Sequence, residues 1–502
     1  MKRLITILMF SVFATLAGVT SCTHKPKIVP APFSDGNYPS DVAKIIINKC
    51  TYSGCHNAAS YKFAAGLRLD TWQYLFEGSQ TGAEVVAFSP QFSPLLYYCN
   101  AHDSLDVSAT YPGHLDTALT LAEYNVLKNW ITSGAPDKNG SLPFPTLSPD
   151  TRQKIYLTIQ GCDLIAVIDA KSKLIMRYIH IGDALNKSPH DVEISADGMY
   201  AYVPYFGGSI VQKIDVRADT VISSANVGAA VAGGSGGAWS ILTLSPLDTA
   251  FIVSGWTGNG CVVAVNTANM AINQRKSADA LNGLTSFFPY PHGLAANATF
   301  DTFIATLNTN IIKYTFSSSG AFTKIKNIPA SGQPHQVEMT PDNSKYFVTC
   351  PDTSGATNYV RVYDYHTDTL MKAIPVGAVP QEMEVSPSKN YLLVACKEDG
   401  SNPTPGSRGS VYVIDYNTLA VVKVLYGDFY QPHDLTVDEQ DGLIFIPSEN
   451  ANPSGPAPHH ATACNGRPGW YTVYDLNTLL PADNKRYDTP TDPYAISTRF
   501  KP

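Results

Sequence analysis

Charge is scarce in this chain: Asp, Glu, Lys and Arg make up only 15% of its 502 residues. The 35 basic and 42 acidic residues leave a formal charge of −7, and no Lys/Arg cluster stands anywhere along the sequence. Without a basic patch there is no electrostatic footprint for nucleic acid, which excludes that class of partner. Methionine is rare too, with 8 in all and none between Met9 and Met176. No phosphate-binding loop, nucleophile elbow or zinc-protease motif occurs. The Gly-rich run Gly233–Gly237 precedes a strand pattern instead of a helix, so it reads as a linker and not a phosphate cradle.

One long apolar run exists, Leu4 to Val19, behind Lys2 and Arg3 and ahead of Val19-Thr20-Ser21-Cys22. A charged start, a short apolar core and small residues before a cysteine read as an exported-lipoprotein signal over 1–21, with Cys22 as the lipidated residue. An ordinary signal peptide with an incidental cysteine is the plainer alternative. Residues 22–35, with Pro26, Pro30 and Pro32, read as a tether. The expected location is therefore the periplasm or cell surface, with membrane contact through the anchor only. Losing Lys2 and Arg3 takes the charge from −7 to −9.

Beyond the tether, Cys50-Thr-Tyr-Ser-Gly-Cys55-His56 places two thiols directly before an imidazole. Thioether bonds to a porphyrin need two cysteines, and the adjacent histidine then sits under the iron. The spacer is four residues where two are usual, and a short Cys50–Cys55 disulfide is the bland alternative. A helix pattern precedes the motif, with Val42, Ile45 and Ile46 on one face. A second follows at Leu121–Ile131, capped by Thr120 with Glu123 three residues on and bearing Leu121, Tyr124, Leu127 and Ile131 at helical spacing. A helix ending in the C…CH motif and a late helix ending in Asn-Trp-Ile-Thr-Ser-Gly-Ala-Pro together resemble the small c-type cytochrome domains of exported bacterial proteins. The resemblance implies an all-α haem domain over 36–140 carrying one covalent haem c, with His56 on the iron. In that family a Met-Pro pair supplies the sixth ligand, and this segment has no methionine. His114 and His102 are then the candidates, with Tyr111 or an open position as alternatives.

From about residue 150 the sequence repeats. Seven short alternating strands are introduced by Pro-His or a substitute: at His190, Ser240, His292, His335, Gln381, His433 and Tyr494. A second strand follows each copy but the last; a third often ends in an acid that begins a turn, and a fourth closes on glycine. Four antiparallel strands every ~40–50 residues predict a β-propeller. The first unit starts on its second strand and the last strand has no blade after it, so the C-terminal strand is expected to complete the first blade and remove the free edges. The predicted fold is thus multidomain: a small all-α domain, then a seven-bladed β-propeller over 150–502. The units resemble the YVTN family of exported propellers, which implies fold and leaves chemistry open.

Equivalent positions of a propeller form a ring about its axis. Four of the seven are histidines, His190, His292, His335 and His433, out of 12 histidines in the chain. Converging imidazoles are ligands for copper, iron or zinc; a histidine there can equally cap a loop. At motif level the ring resembles the histidine-lined copper propeller of nitrous oxide reductases, though with too few histidines. Asp191, Glu193, Glu338, Glu384 and Asp434 follow the same register as second-shell partners or channel walls. A Pro/Gly-rich insertion, Glu449–Gly469, carries His459, His460 and Cys464, a weaker metal candidate or a surface lid. These features predict an exported cytochrome exchanging electrons with a redox partner protein or small-molecule substrate, with or without a second metal at the propeller mouth. The rival reading is a non-catalytic binding propeller with the haem as electron port or sensor. Metal content separates the two.

Overall fold

The computed structural model describes residues 34–99, 119–182, 187–228, 238–255, 261–277, 291–307, 309–316, 322–330, 332–351, 358–449, 464 and 466–500. The signal segment with Cys22, the candidates His102, Tyr111 and His114, and the pair His459–His460 all lie outside them.

Seven antiparallel sheets follow one another around a ring. Blade 2 runs Glu193–Ile194, Tyr200–Pro204, Ile210–Asp215 and Thr220–Asn226, and the later blades repeat the order inner to outer. Blade 1 takes Lys154–Ile159, Leu164–Asp169 and Leu174–His180 from its own stretch and its inner strand, Pro493–Thr498, from the C-terminus. Leu157 pairs with Ile496 and Ile155 with Thr498 in that closing ladder.

Alternation along each strand sends apolar side chains to both faces, and each face packs on a neighbouring blade. Val203, Ile214 and Val192 of blade 2 thus share a cluster with Ile165, Val167 and Ile179 of blade 1. Each such side chain fully removed from water contributes about 1.5–3 kcal/mol. The acid ending the third strand begins a turn as expected: Asp415 Oδ1 accepts from the amides of Asn417 and Thr418, and Asp475 Oδ1 from Asn477 and Thr478. Lysines staple neighbouring blades: Lys154 Nζ meets Asp219 at 2.9 Å, and Lys213 Nζ the Thr267 carbonyl at 2.9 Å.

Residues 36–140 do not form the separate all-α domain that the motif predicts. Among the described residues they hold four α-helices: α1 (Ser40–Cys50), α2 (Trp72–Leu75), α3 (Pro94–Cys99) and α4 (Leu121–Thr132). Only α1 and α4 exceed two turns, and none of the four is long and apolar enough to cross a membrane. Gly36–Pro502 is one compact unit. The reason lies in the irregular segment between α2 and α3. Ala83, Val86 and Phe92 bury themselves among Ile155, Leu174 and Tyr487 of blades 1 and 7. Backbone bonds join the same segment to blade 7: Arg486 N donates to Gln80 O at 3.1 Å and Asp488 N to Thr81 O at 3.0 Å. The helices are a layer on an otherwise β fold. Within it, Thr120 and Glu123 form the expected capping box, and Tyr124, Leu127 and Ile131 are buried, but Leu121 is 53% exposed. Trp130 joins Tyr124, Leu127 and Ile131 in the core, and Leu121 stays outside it.

Candidate functional site

The inner strands start where the Pro-His register does, so their first side chains project across the channel. His190, His292 and His433 are buried, and His335 half-buried. Their backbones are fixed by the second strand of the same blade: His190 N donates to Pro204 O, His292 N to Thr306 O and His335 N to Thr349 O. The rings converge. His292 and His335 lie 3.9 Å apart between centroids, His190 is 5.5 Å from His292, and His433 is 6.3 Å from His335 and 6.4 Å from His190. The serine blade between His190 and His292 does not hold them apart. Ser240 folds into its own wall, bonding Ser254 Oγ at 2.8 Å, while Ser254 Oγ donates to His292 O at 2.7 Å. Tyr494 fills the seventh position, stacked on His433 at 3.8 Å with its hydroxyl 3.3 Å from His190 Nε2.

Glu382 joins the ring from the position after Gln381. Its carboxylate and the imidazoles of His292 and His335 offer ligand atoms that all lie within 4.8 Å of one another. Metal–nitrogen and metal–oxygen bonds of ~2 Å bring donors closer than that, so modest side-chain rotation completes a three-donor site. Two donor atoms there have no hydrogen-bond partner: His292 Nδ1 and Glu382 Oε1. Burial pushes the His292 imidazole down to about 4, partly opposed by its hydrogen bond with the His335 backbone, so its ring is neutral near neutral pH. Burial also pushes the Glu382 carboxyl well above the usual range, and the charges of Asp434 and Asp191 add to this.

Gly293 makes the His292–His335 approach possible. Its N–H donates to His335 O at 3.0 Å and to Thr306 Oγ1 at 2.8 Å. A Cβ there would stand 2.6 Å from that same carbonyl oxygen.

Below the histidines a cavity of about 360 Å³ follows the inner strands from His190 and His433 to Ala196 and Pro246. Its walls include the expected Asp191, Glu193, Glu338, Glu384 and Asp434. Asp191 Oδ2 accepts from Leu242 N and Asp434 Oδ2 from Ile496 N, both at 2.8–2.9 Å, so these two acids also join their blades to the next.

The Cys50–His56 segment lies in the helical layer. α1 ends at Cys50, and His56 N returns to Cys50 O at 3.0 Å. Cys50 and Cys55 are both free thiols, so the short disulfide alternative is not formed. Burial, with Cys99 and Cys55 nearby, pushes the Cys50 thiol up to about 12. His56 Nδ1 lies 3.1 Å from Leu67 O, and since a carbonyl oxygen only accepts, this contact places a proton on Nδ1. Two free thiols and an imidazole held in that tautomer fit a covalently attached haem. Of the remaining cysteines, Cys162 and Cys464 form a disulfide across 302 residues. Cys99, Cys261, Cys350 and Cys396 are buried and in no disulfide.

Sequence reasoning missed Glu382 as a donor because Gln381 marks its blade as a break in the histidine ring. The acid one residue on was the available signal.

No family model matches the chain, and comparison with curated proteins finds no match. Among solved structures, a functionally unknown protein from Desulfotomaculum acetoxidans is similar with a TM-score of 0.50 and 12% identity, over 68% of this chain and 99% of that one. Kuenenia stuttgartiensis hydrazine synthase aligns with a TM-score of 0.47 and 13% identity, over 63% of this chain and 89% of that one. At such identities the likeness is one of fold, and the second carries no argument. What the geometry establishes, with the first of these two structures in support, is a seven-bladed β-propeller.

Proposed function

We propose that the protein is an exported redox protein whose propeller holds one transition-metal ion between His292, His335 and Glu382. The observation that carries this reading is the meeting of these three side chains in the channel, with donor atoms of two of them left without partners in a buried place. Buried polar atoms are ordinarily satisfied, and a metal ion satisfies them here. Two imidazoles and one carboxylate leave coordination positions open for a small molecule. That donor set suits ferrous iron or zinc better than copper.

A covalent haem on Cys50, Cys55 and His56 is the second part of the proposal, supported by the His56–Leu67 contact. Such a group supplies one-electron exchange. Here Leu67 O orients the imidazole, and the Lys49–Glu123 ion pair at 2.7 Å ties the end of α1 to the start of α4. The Cys162–Cys464 disulfide supports an oxidising compartment, in keeping with the signal expected at 1–21.

The test is metal and haem content of full-length protein matured in a host with haem-attachment machinery. The expected result is one covalent haem per chain, lost in Cys50→Ala/Cys55→Ala. One further iron or zinc is expected per chain, lost in His292→Ala/His335→Ala and reduced in Glu382→Gln. Wild-type protein without covalent haem overturns the haem part. Metal content that the channel substitutions leave unchanged overturns the metal part.

A further inference from the structure

We infer that the cavity beneath the histidines binds a small aliphatic ammonium compound, presented to the metal site by the carboxylates of the inner strands. This rests on the metal reading above for its chemistry, though not for its binding.

Register along the inner strands sorts the lining into tiers. The position after the histidine carries Asp191, Glu382 and Asp434; two residues further, facing the same way, stand Glu193, Glu338 and Glu384. Among the described residues no lysine or arginine lines the cavity. Walls that carry Glu193, Glu338 and Glu384 disfavour anionic ligands such as carboxylates and phosphates and draw a cation in. Glu382, 5% exposed, also lines this space, where the metal reading gives its carboxylate to the ion.

Several cations would satisfy that charge, and the rest of the lining selects among them. A bare or hydrated divalent ion needs oxygens grouped within shared-ligand distance, and among the described residues the one such group is His292, His335 and Glu382. A quaternary ammonium is ordinarily held by an aromatic cage; among the described residues the lining has no Phe, Tyr or Trp. Between the acids stand Ile194, Ile241, Leu294 and Ile496, which suit a hydrocarbon chain. Apolar walls with a few carboxylates match a primary or secondary ammonium, whose N–H groups donate to the acids while its methylenes lie on the aliphatics. The volume, about 360 Å³, falls at the small end of ligand sites.

Calorimetric titration of the metal-loaded full-length protein with n-butylammonium, butyrate, butanol and magnesium separates the possibilities. Butylammonium is expected to bind, butyrate and butanol not to. Glu338→Gln/Glu384→Gln should weaken butylammonium by about tenfold or more, with metal content unchanged. Equal binding of butanol or butyrate, or an unweakened double variant, overturns the inference. So does magnesium binding that depends on Glu338 and Glu384 while butylammonium fails to bind. Protein that carries the metal but ignores butylammonium sinks the cavity proposal alone. Protein without the metal that binds butylammonium through these glutamates sinks the metal reading alone.

Discussion

Replacing Gly293 with alanine tests how the ring is built. A Cβ at this position would lie 2.3 Å from Gln336 Oε1, 2.6 Å from His335 O and 2.7 Å from Gln336 Cα. The glutamine side chain can swing aside; the two backbone atoms belong to the next blade's inner strand and cannot. Either blade 5 shifts outward or the Gly293 N–H···His335 O bond lengthens. Overpacking of this kind costs about 1–3 kcal/mol, the weakened hydrogen bond about 1 more, and the loss of glycine freedom in the unfolded chain returns about 0.4–1. The net expectation is a destabilisation of about 1–3.5 kcal/mol. For a unit this long the unfolding entropy is about 1 kcal/mol per kelvin, so the melting temperature should drop by about 1–3.5 °C. The same shift parts His292 from His335, so metal retained after dialysis should fall with it. Gly400→Ala is the control, since a Cβ there meets nothing within 4 Å. Calorimetry finding Gly293→Ala level with Gly400→Ala, with metal content intact, would refute the claim that this glycine exists to bring the two imidazoles together.

Three other outcomes follow from the packing and the charges. Lys397 and Glu449 form a buried pair at 2.5 Å, so Lys397→Met should cost about 3–5 kcal/mol by stranding the acid, and Lys397→Met/Glu449→Gln should recover most of it in the same calorimetric scan. Phe92 is buried against blade 1, its ring 5.0 Å from Tyr178. Phe92→Ala should cost about 3–5 kcal/mol and wild-type protein should unfold its helical layer with the blades; a distinct early helical transition in circular dichroism would show a separate domain after all. Glu84 is fully buried beside Ser79 and Thr81, and burial raises its carboxyl above the ordinary range. A raised acid binds its proton more tightly folded than unfolded, so its contribution is complete at low pH and lost as pH climbs past the unfolded value. The melting temperature of Glu84→Gln relative to wild type should therefore rise between pH 4 and 8, and a flat difference would discount the effect.

The propeller was legible because its signals are local and repeated. A register of Pro-His, an alternating strand and an acid-started turn recurs often enough to number the blades and to show which strand closes the ring. The capping box at Thr120 and Glu123 was legible for the same reason, being complete within four residues. What the sequence hid depends on contacts between distant segments. Helical periodicity marks an apolar face on α1 and α4, yet it is silent on Ala83, Val86 and Phe92, whose irregular segment finds its cover on blades 1 and 7. Cys162 and Cys464 come together only because a blade 7 insertion reaches the first turn of blade 1. The span across the channel was also unreadable, for it depends on which side chains cross it: with Ser240 folded back, His190 and His292 meet over a whole intervening blade.

That last point explains why the candidate site belongs to the ring and to no single blade. Each inner strand lends one side chain to each tier, so a large residue on one blade needs a small one beside it. Ser240 and Gly293 are the small ones, and their place in the register gives His292 its room. The lower tiers combine two tasks. Asp191 and Asp434 hold neighbouring inner strands together through backbone amides, and in doing so keep their carboxylates along the channel wall. The ring also needs its last strand. Tyr494 comes from the C-terminal segment that closes blade 1, yet it stacks on His433 of blade 7 and reaches His190 of blade 2. The imidazole cluster is therefore bounded only once the C-terminal strand has paired with Lys154–Ile159, and the contacts that close the fold are the ones that finish the site.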